Sequence, residues 1–253
     1  MDRLAFTALA AVQGNAKVRA QVTNALANVS TVGFKESLQV AVDTVKIDGA
    51  GYDTRFQPTV HTRDMINLKP GAVAMTGNPM DVSMNDQTVL GVQANNGEIG
   101  FTRRGDLRVS ATGVVENAAG QLVLGEAGPL TVPPGQLVTI SPDGTMFASS
   151  PTEPEAPAVL IGKLMLRDAS ETNLIRREDG LFEPLELEYR GTDFPSGPNA
   201  ASVQSGVLEG SNVNPIEAMI KMMDFSRSFE AQIKMIKEAR SIDETGSTMM
   251  RIP

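Results

Sequence analysis

The sequence predicts an α+β fold in which long N- and C-terminal helices pair as a coiled-coil-like domain, with an antiparallel all-β middle domain inserted between them. Two observations carry this prediction. Apolar residues recur at helical spacing over residues 1–35 and again over residues 212–246. Between these segments, short alternating runs are separated by turns rich in glycine and proline, at intervals of roughly 8–12 residues.

Because the predicted long helices are the first and last segments, the chain can fold back and pair them. We therefore predict four segments along the chain. They are an N-terminal helix of an assembly domain (1–35), an extended connection (36–75), a β-rich middle domain (76–205) and a C-terminal helix of the assembly domain (206–253). This layout is typical of an assembly subunit rather than of an enzyme.

The N-terminal helix is predicted from a stripe of mostly small residues at alternating steps of four and three. The stripe contains Leu4, Ala8, Ala11, Asn15, Val18, Val22, Ala25 and Val29, with Leu26 beside it. Its one polar member, Asn15, is the kind of residue that fixes register in a helix seam. Asn28, Thr31 and Gly33 then form a stop signal, because side-chain oxygens compete for backbone hydrogen bonds and glycine tolerates a positive φ. Phe34 is placed to pack back on the helix end.

The C-terminal helix has clear local start signals. Asn214 is a good N-cap, Pro215 is compatible with the first helical position, and Glu217 complements the helix dipole. Its apolar stripe contains Met219, Met222, Phe229, Ile233 and Ile236. We expect Gly246 to end the regular helix. The methionines of this stripe suit a surface that repacks against several partners.

The middle of the chain predicts an antiparallel sandwich or barrel. Asn95-Asn96-Gly97 is a hairpin signal between two strand-like runs, and Pro142-Asp143-Gly144 is a second turn signal. The run Val159–Leu166 is the most apolar of the strand-like segments, so we expect it to be a central strand.

Composition excludes several classes of function. The net charge of −8 argues against a nucleic-acid surface, which needs clustered Lys and Arg. The chain has no cysteine, so it has no disulfide, thiol nucleophile or thiolate metal site. Its one histidine, His61, is a poor basis for a zinc site. We expect no cofactor, no metal, no membrane span and no cleavable signal peptide.

Catalysis has little support in the residues. A Ser-His-Asp set would depend on His61, which lacks a nucleophile-elbow context. The chain also lacks a Gly-x-x-x-x-Gly-Lys-Ser/Thr loop and a Gly-x-Gly-x-x-Gly motif that opens a helix after a strand, the two glycine motifs that bind phosphate groups. Two carboxylate pairs are candidates by residue type only: Asp81 with Asp86, and Glu178 with Asp179. Each pair lies in a turn context, where Asp and Glu are common for backbone reasons. We therefore expect a protein that is not an enzyme.

Four motifs resemble those of a known family. Residues 24–35, Asn-Ala-Leu-Ala-Asn-Val-Ser-Thr-Val-Gly-Phe-Lys, resemble the N-terminal signature of the bacterial flagellar rod and hook proteins, with Ala25 where a second Asn is usual. Residues 206–215 resemble the matching C-terminal motif, and residues 76–82 and 101–106 also fit. Details at residues 1–4, 177–182 and 222–230 are most similar to the proximal rod proteins, although an aromatic pair usual near residues 89–92 is missing.

The resemblance implies a structural subunit of the basal-body rod that assembles through its terminal helices to transmit motor torque. Its implied partners are other copies of itself, the proximal rod proteins, the distal rod protein and the flagellar type III export apparatus. It implies a periplasmic rod location in the basal body. Two alternatives remain: a distal rod protein of the same family, or a β-rich ligand- or cell-wall-binding module dimerised by its helices.

We predict an assembly interface on the terminal helices and on the turn that leaves the first helix. Ten residues are predicted to pack between helices: Leu4, Val18, Val22, Leu26, Val29, Met219, Met222, Phe229, Ile233 and Ile236. Four residues are predicted to shape the turn: Asn28, Thr31, Gly33 and Phe34.

Overall fold

The computed structural model describes residues 2–38, 42–46, 56–60, 65–151 and 157–250. Its helices are α1 (Asp2–Ala27), a 3₁₀ helix (Leu187–Tyr189) and α2 (Pro215–Met250). Its strands are β1 (Ser37–Leu38), β2 (Val42–Lys46), β3 (Phe56–Val60), β4 (Met65–Ile66), β5 (Val73–Met75), β6 (Val82–Met84), β7 (Thr88–Gln93), β8 (Ile99–Thr102), β9 (Leu107–Val109), β10 (Val115–Asn117), β11 (Leu122–Gly125), β12 (Gly128–Pro129), β13 (Leu137–Ile140), β14 (Thr145–Ser149), β15 (Val159–Lys163), β16 (Leu166–Asp168), β17 (Leu174–Arg176), β18 (Phe182–Pro184), β19 (Val203–Ser205) and β20 (Val207–Glu209).

The chain forms two compact units. The helical unit consists of Met1–Ala27, Gln39–Arg63 and Asn214–Pro253. The β-rich unit consists of Asn28–Leu38 and Asp64–Val213. The chain therefore crosses between the units four times.

The helical unit contains a β-hairpin as well as the two long helices. Strands β2 and β3 pair antiparallel, from Val42 opposite Val60 to Lys46 opposite Phe56. Helix α1 contacts both α2 and β3. Between the helices, Asn15 Nδ2 donates to Ser228 Oγ at 3.3 Å. No helix in the described part of the chain has a stretch both long and apolar enough to cross a bilayer.

The predicted fold class, α+β with long paired terminal helices as a coiled-coil-like domain, is wrong. The described chain is mostly β-sheet, and its N-terminal helix, at 26 residues, is the shorter of the two. Helix α1 also packs on a hairpin, so the helices do not form a domain of their own. Helical periodicity shows that a face is buried but not which element covers it, so the hairpin could not be foreseen.

Two helix ends differ from the prediction. Helix α1 ends at Ala27 and does not continue to Lys35, because the chain turns at residues 28–33. Helix α2 continues through Gly246 to Met250. A glycine inside a helix costs only about 1 kcal/mol relative to alanine, so Gly246 alone does not end it. The predicted start is confirmed, since Asn214 Oδ1 accepts from Ile216 N at 3.1 Å and Pro215 is the first helical residue.

The β-rich unit is built around an eleven-stranded sheet with β7 near its centre. Most of this sheet follows the order β1-β4-β17-β18-β8-β7-β11-β10-β9, while β12 pairs with β11 and β16 pairs with β7. Strand β7 is buried along almost its whole length. Separate antiparallel sheets are formed by β13-β14-β15, by β6 with β19 and by β5 with β20. The predicted Asn-Gly and Asp-Gly turns are confirmed, because they join β7 to β8 and β13 to β14.

The expectation that Val159–Leu166 is one central strand is wrong for most of the run, which divides into β15 and the start of β16; Leu166 in β16 does pair with Leu90 of the central strand β7. Among the described strands, β15 pairs only with β14, at the edge of the three-stranded sheet. Val159 and Leu160 are 60% and 63% exposed. An apolar run identifies a strand but not its neighbours, and the central position belongs to β7, which has partners on β8, β11 and β16.

Candidate functional site

Asn28, Thr31, Gly33 and Phe34, the residues predicted to shape the turn out of the first helix, lie in or directly after the turn that leaves α1. Thr31 N donates to Asn28 O at 3.1 Å, and Phe34 N donates to Thr31 O at 3.3 Å. Gly33 has a φ of +67°, and a Cβ at this position would lie 2.4 Å from Arg103 O. Glycine is therefore required here both by backbone conformation and by the close approach of another segment.

Phe34 and Lys35 anchor this turn to β17. The Arg176 guanidinium carbon lies 4.2 Å from the centroid of the Phe34 ring. Arg176 Nη2 also donates a hydrogen bond to Lys35 O. A guanidinium above an aromatic ring is attracted by the negative face of the ring, so the cation holds both the side chain and the backbone of the turn.

Beyond the turn, one carboxylate binds two buried cations. Glu209 Oε1 lies 2.5 Å from Lys35 Nζ, and Glu209 Oε2 lies 2.7 Å from Arg103 Nη2. The side chains of Lys35 and Arg103 are 0% exposed and that of Glu209 is 1% exposed. The three groups carry a net charge of +1 inside the protein. Charges this deeply buried are kept only when every one is paired and hydrogen-bonded.

The remaining hydrogen bonds of these groups go to the backbone. Arg103 Nη1 donates to Asp86 O at 2.7 Å and to Thr88 O at 2.9 Å. Asp86 has a φ of +46°, a conformation that non-glycine residues rarely adopt, and this conformation presents its carbonyl to Arg103. Lys35 Nζ donates to Lys69 O at 3.0 Å.

The environment lowers the pKa of Lys35 below its ordinary value. Burial is the largest cause, because it disfavours the charged ammonium, and the positive charge of Arg103 acts in the same direction. The hydrogen bond and the charge of Glu209 oppose the change. Glu209 is thus the group that keeps an otherwise unfavourable ammonium in place.

Asn212 makes a second set of bridges next to this cluster. Its Oδ1 accepts from Glu36 N at 2.7 Å, and its Nδ2 donates to Asn67 O at 2.8 Å and to Lys69 O at 3.3 Å. We call Lys35, Arg103, Glu209 and Asn212 the junction cluster. All four belong to the β-rich unit.

The predicted packing residues are divided between buried and exposed positions. Val22 is buried, whereas Val18, Leu26, Val29, Met222, Ile233 and Ile236 are half-buried. Met219 and Phe229 are 54% and 42% exposed. Leu4 lies in α1, but its side chain is outside the described residues.

The first two turns of α2 carry an exposed apolar stripe. Ile216, Met219, Ile220 and Met223 are spaced three and four residues apart, so they share one face of the helix. Ala218 is buried on the opposite side. Four large exposed apolar side chains side by side are unusual for a surface that stays in water, and they indicate a contact surface.

Two of the four carboxylates considered for catalysis have hydrogen-bond partners within turns of the described chain. Asp81 Oδ1 accepts from Asn78 Nδ2 at 3.1 Å, and Asp179 Oδ1 accepts from Leu181 N at 3.1 Å within the turn between β17 and β18. Glu178 is exposed in the same turn. His61 lies outside the described residues. Among the residues that the structure describes, no group of three or more His, Asp or Glu side chains could hold a metal ion.

The family-like motifs contain Lys35, Arg103, Glu209 and Asn212, but sequence reasoning assigned no role to these side chains. One sequence signal could have identified these residues. A charged residue within a motif of glycine and other small residues is a candidate for a buried, paired charge rather than a solvated one. The structure shows that three separate motifs meet at one ion cluster.

Two family models match the chain, and both cover parts of this arrangement. The model described as the flagellar basal body rod FlgEFG protein C-terminal region matches residues 204–249, which contain Glu209, Asn212 and most of α2. The model described as the flagellar hook protein FlgE/F/G D1 domain matches residues 87–148, which contain Arg103. These matches define the class as a flagellar rod or hook protein.

Similarity to curated proteins extends over nearly the whole chain. The flagellar basal-body rod protein FlgF of Salmonella typhimurium is 38% identical over 247 residues, which cover 96% of this chain and 95% of that protein. FlgF of Escherichia coli K12 is 37% identical, with 96% of this chain and 95% of that protein covered. FlgG of Buchnera aphidicola subsp. Schizaphis graminum is 26% identical, with 91% and 92% covered. The chain belongs to the flagellar basal-body rod protein family and is a FlgF-like structural subunit of the basal-body rod.

Proposed function

We propose that the chain is a subunit of the proximal rod, that it assembles with other rod subunits through its terminal helices, and that it transmits motor torque through these helix contacts. The greater identity to FlgF than to FlgG among the relatives described above supports the proximal position over the distal one. The relatives are rod proteins, which gives no support to a β-rich ligand- or wall-binding module.

The observation that carries the proposal is the exposed stripe on α2. Ile216 is 70% exposed and Met223 is 54% exposed, although both are large apolar residues. Burying such side chains against a neighbouring subunit stabilises each by roughly 1.5–3 kcal/mol relative to leaving it in water. Several such contacts per subunit make a stiff, tightly packed shaft. Transmitting torque through this shaft requires no bond to be made or broken. In this role the protein acts as neither an enzyme nor a cofactor carrier.

The remaining partners follow from the same role. The subunit is exported by the flagellar type III apparatus and assembles in the periplasm with other proximal rod proteins, with copies of itself and with the distal rod protein. The absence of cysteine supports this route, because an unfolded chain without thiols forms no wrong disulfide in an oxidising compartment.

The experiment is to delete the gene and examine isolated basal bodies by electron microscopy after complementation. The wild-type gene should restore the rod. Met223→Asp should fail to restore it, because a carboxylate in the stripe would have to be buried on assembly. Ala231→Asp is the matched control, since it adds the same charge at an exposed position about two turns further along α2. Complete rods with the Met223 variant would contradict the role of the α2 stripe as an assembly contact. Complete rods in the deletion strain without the gene would contradict the proposal that the chain is a rod subunit.

A further inference from the structure

The four crossings between the two units involve only three short segments of the β-rich unit. The chain enters that unit after Ala27, leaves it after Leu38, returns after Arg63 and leaves finally after Val213. The segments that carry these crossings are 28–38, 64–72 and 206–213.

Backbone pairing joins these segments to one another. Ser37 pairs with Ile66 and Leu38 pairs with Met65, so the outgoing and returning connections lie side by side. Gly33 N donates to Glu209 O at 2.7 Å. The final segment is therefore also tied to the first one.

Two side chains of the final segment bind both of the other segments. Glu209 Oε1 accepts from Lys35 Nζ at 2.5 Å and from Gly71 N at 3.0 Å. Asn212 reaches Glu36 N on one side and the carbonyls of Asn67 and Lys69 on the other. Each of these two residues thus spans all three segments.

We propose that Glu209 and Asn212 are positioning residues that hold every connection between the two units at one fixed place, and that incorporation into the rod requires this clamp. The inference rests on the proposed function, because incorporation is the outcome that it explains. The physical reason is that the contact face of a helix has a fixed orientation towards a neighbouring subunit only if the chain segment that leads into the helix is itself held in place.

Asn212 separates positioning from overall stability better than Glu209 does. Removing Glu209 leaves Lys35 and Arg103 as two buried cations without an anion, so that variant can lose the whole β-rich unit. Asn212 is only half-buried and uncharged. Asn212→Ala therefore removes one set of side-chain bridges between the segments and leaves the buried ion cluster and the backbone pairing intact.

The test combines hydrogen exchange on the full-length protein with complementation of the deletion strain. For Asn212→Ala we expect an unchanged thermal transition of the β-rich unit, amide exchange raised on the order of tenfold within residues 28–38 and 206–213, and loss of rod incorporation. Asn85→Ala is the matched control. Asn85 Nδ2 also bridges two segments of the β-rich unit, at 3.0 Å from Ser202 Oγ, but away from the crossings, and this variant should incorporate normally.

Each outcome decides between the alternatives. Faster exchange confined to residues 28–38 and 206–213, together with lost incorporation, supports the clamp. Faster exchange with normal incorporation overturns it, and so does unchanged exchange, because the side chain then holds nothing. If the wild-type gene itself fails to restore the rod, the proposed function fails first and the inference falls with it.

Discussion

Lys35 and Glu209 lie 174 positions apart in the sequence, yet Lys35 Nζ is 2.5 Å from Glu209 Oε1 and both side chains are shut off from solvent. The same carboxylate also binds Arg103. The three motifs that contain these residues are therefore joined by one anion, and the stability of the β-rich unit should depend on it.

Replacing Glu209 with alanine should lower the free energy of unfolding of the β-rich unit by about 3–5 kcal/mol, because the change leaves uncompensated buried charge. Urea unfolding followed by circular dichroism measures the loss. Arg108→Ala is the control, since Arg108 also forms an ion pair, with Glu116 at 2.8 Å, but is 57% exposed. Its loss should cost no more than about 1 kcal/mol. Similar losses in both variants would contradict a special role for the buried cluster.

The stability of the wild-type protein should increase with pH relative to Lys35→Met. The folded state lowers the pKa of Lys35 from its ordinary value of 10.5, chiefly by burial. Between that lowered pKa and 10.5 the unfolded chain binds more protons than the folded one, so raising the pH favours folding. Deprotonation of Lys35 also leaves Arg103 and Glu209 as a pair of one cation and one anion. Unfolding curves of both proteins from neutral pH upward test this, and parallel pH dependences would contradict it.

Gly33→Ala should destabilise the β-rich unit more than Gly77→Ala. Both glycines have a positive φ, +67° and +73°, so each substitution carries the conformational cost of about 1–2 kcal/mol. A Cβ on Gly77 meets nothing within 4 Å, whereas one on Gly33 would lie 2.4 Å from Arg103 O. Thermal melting of both variants isolates the cost of this close approach. Equal melting temperatures would show that the turn can move away from Arg103 freely.

Val22→Asp and Ile233→Asp should abolish rod incorporation while the β-rich unit keeps its melting temperature. Val22 is buried and Ile233 is half-buried in the helical unit, and an unpaired carboxylate there costs several kcal/mol. Basal bodies from complemented deletion strains, together with melting of the purified variants, provide the measurement. Ala16→Asp is the control, because Ala16 is exposed on α1. Normal incorporation of both buried-site variants would refute the assignment of these residues to the assembly interface.

Cap and turn signals in the sequence predicted local structure correctly, whereas the expected helix stop at Gly246 did not occur. The Asn214 cap, the Asn96-Gly97 hairpin and the Asp143-Gly144 turn depend on residues within a few positions of one another. Whether a strand is central or at an edge depends on distant partners. Val159–Lys163 was misplaced for this reason.

The junction cluster could not be predicted for the same physical reason. Lys35, Arg103 and Glu209 each look like an ordinary surface charge when only the neighbouring sequence is considered. Their burial follows from packing between segments that are far apart, which periodicity does not encode. The resemblance of the surrounding motifs to a family placed these residues in important segments without revealing their contacts.

The position of Glu209 along the chain has a consequence for folding kinetics. It lies in β20, the last strand before α2. A chain growing from its N-terminus carries Lys35 and Arg103 long before their shared anion is made, and closing so long a loop is slow. Until residue 209 is available, burying the two cations is unfavourable, so the β-rich unit completes itself only when nearly the whole chain is present. Glu209 stabilises the finished subunit, and before it is made the two unpaired cations disfavour folding of the incomplete chain.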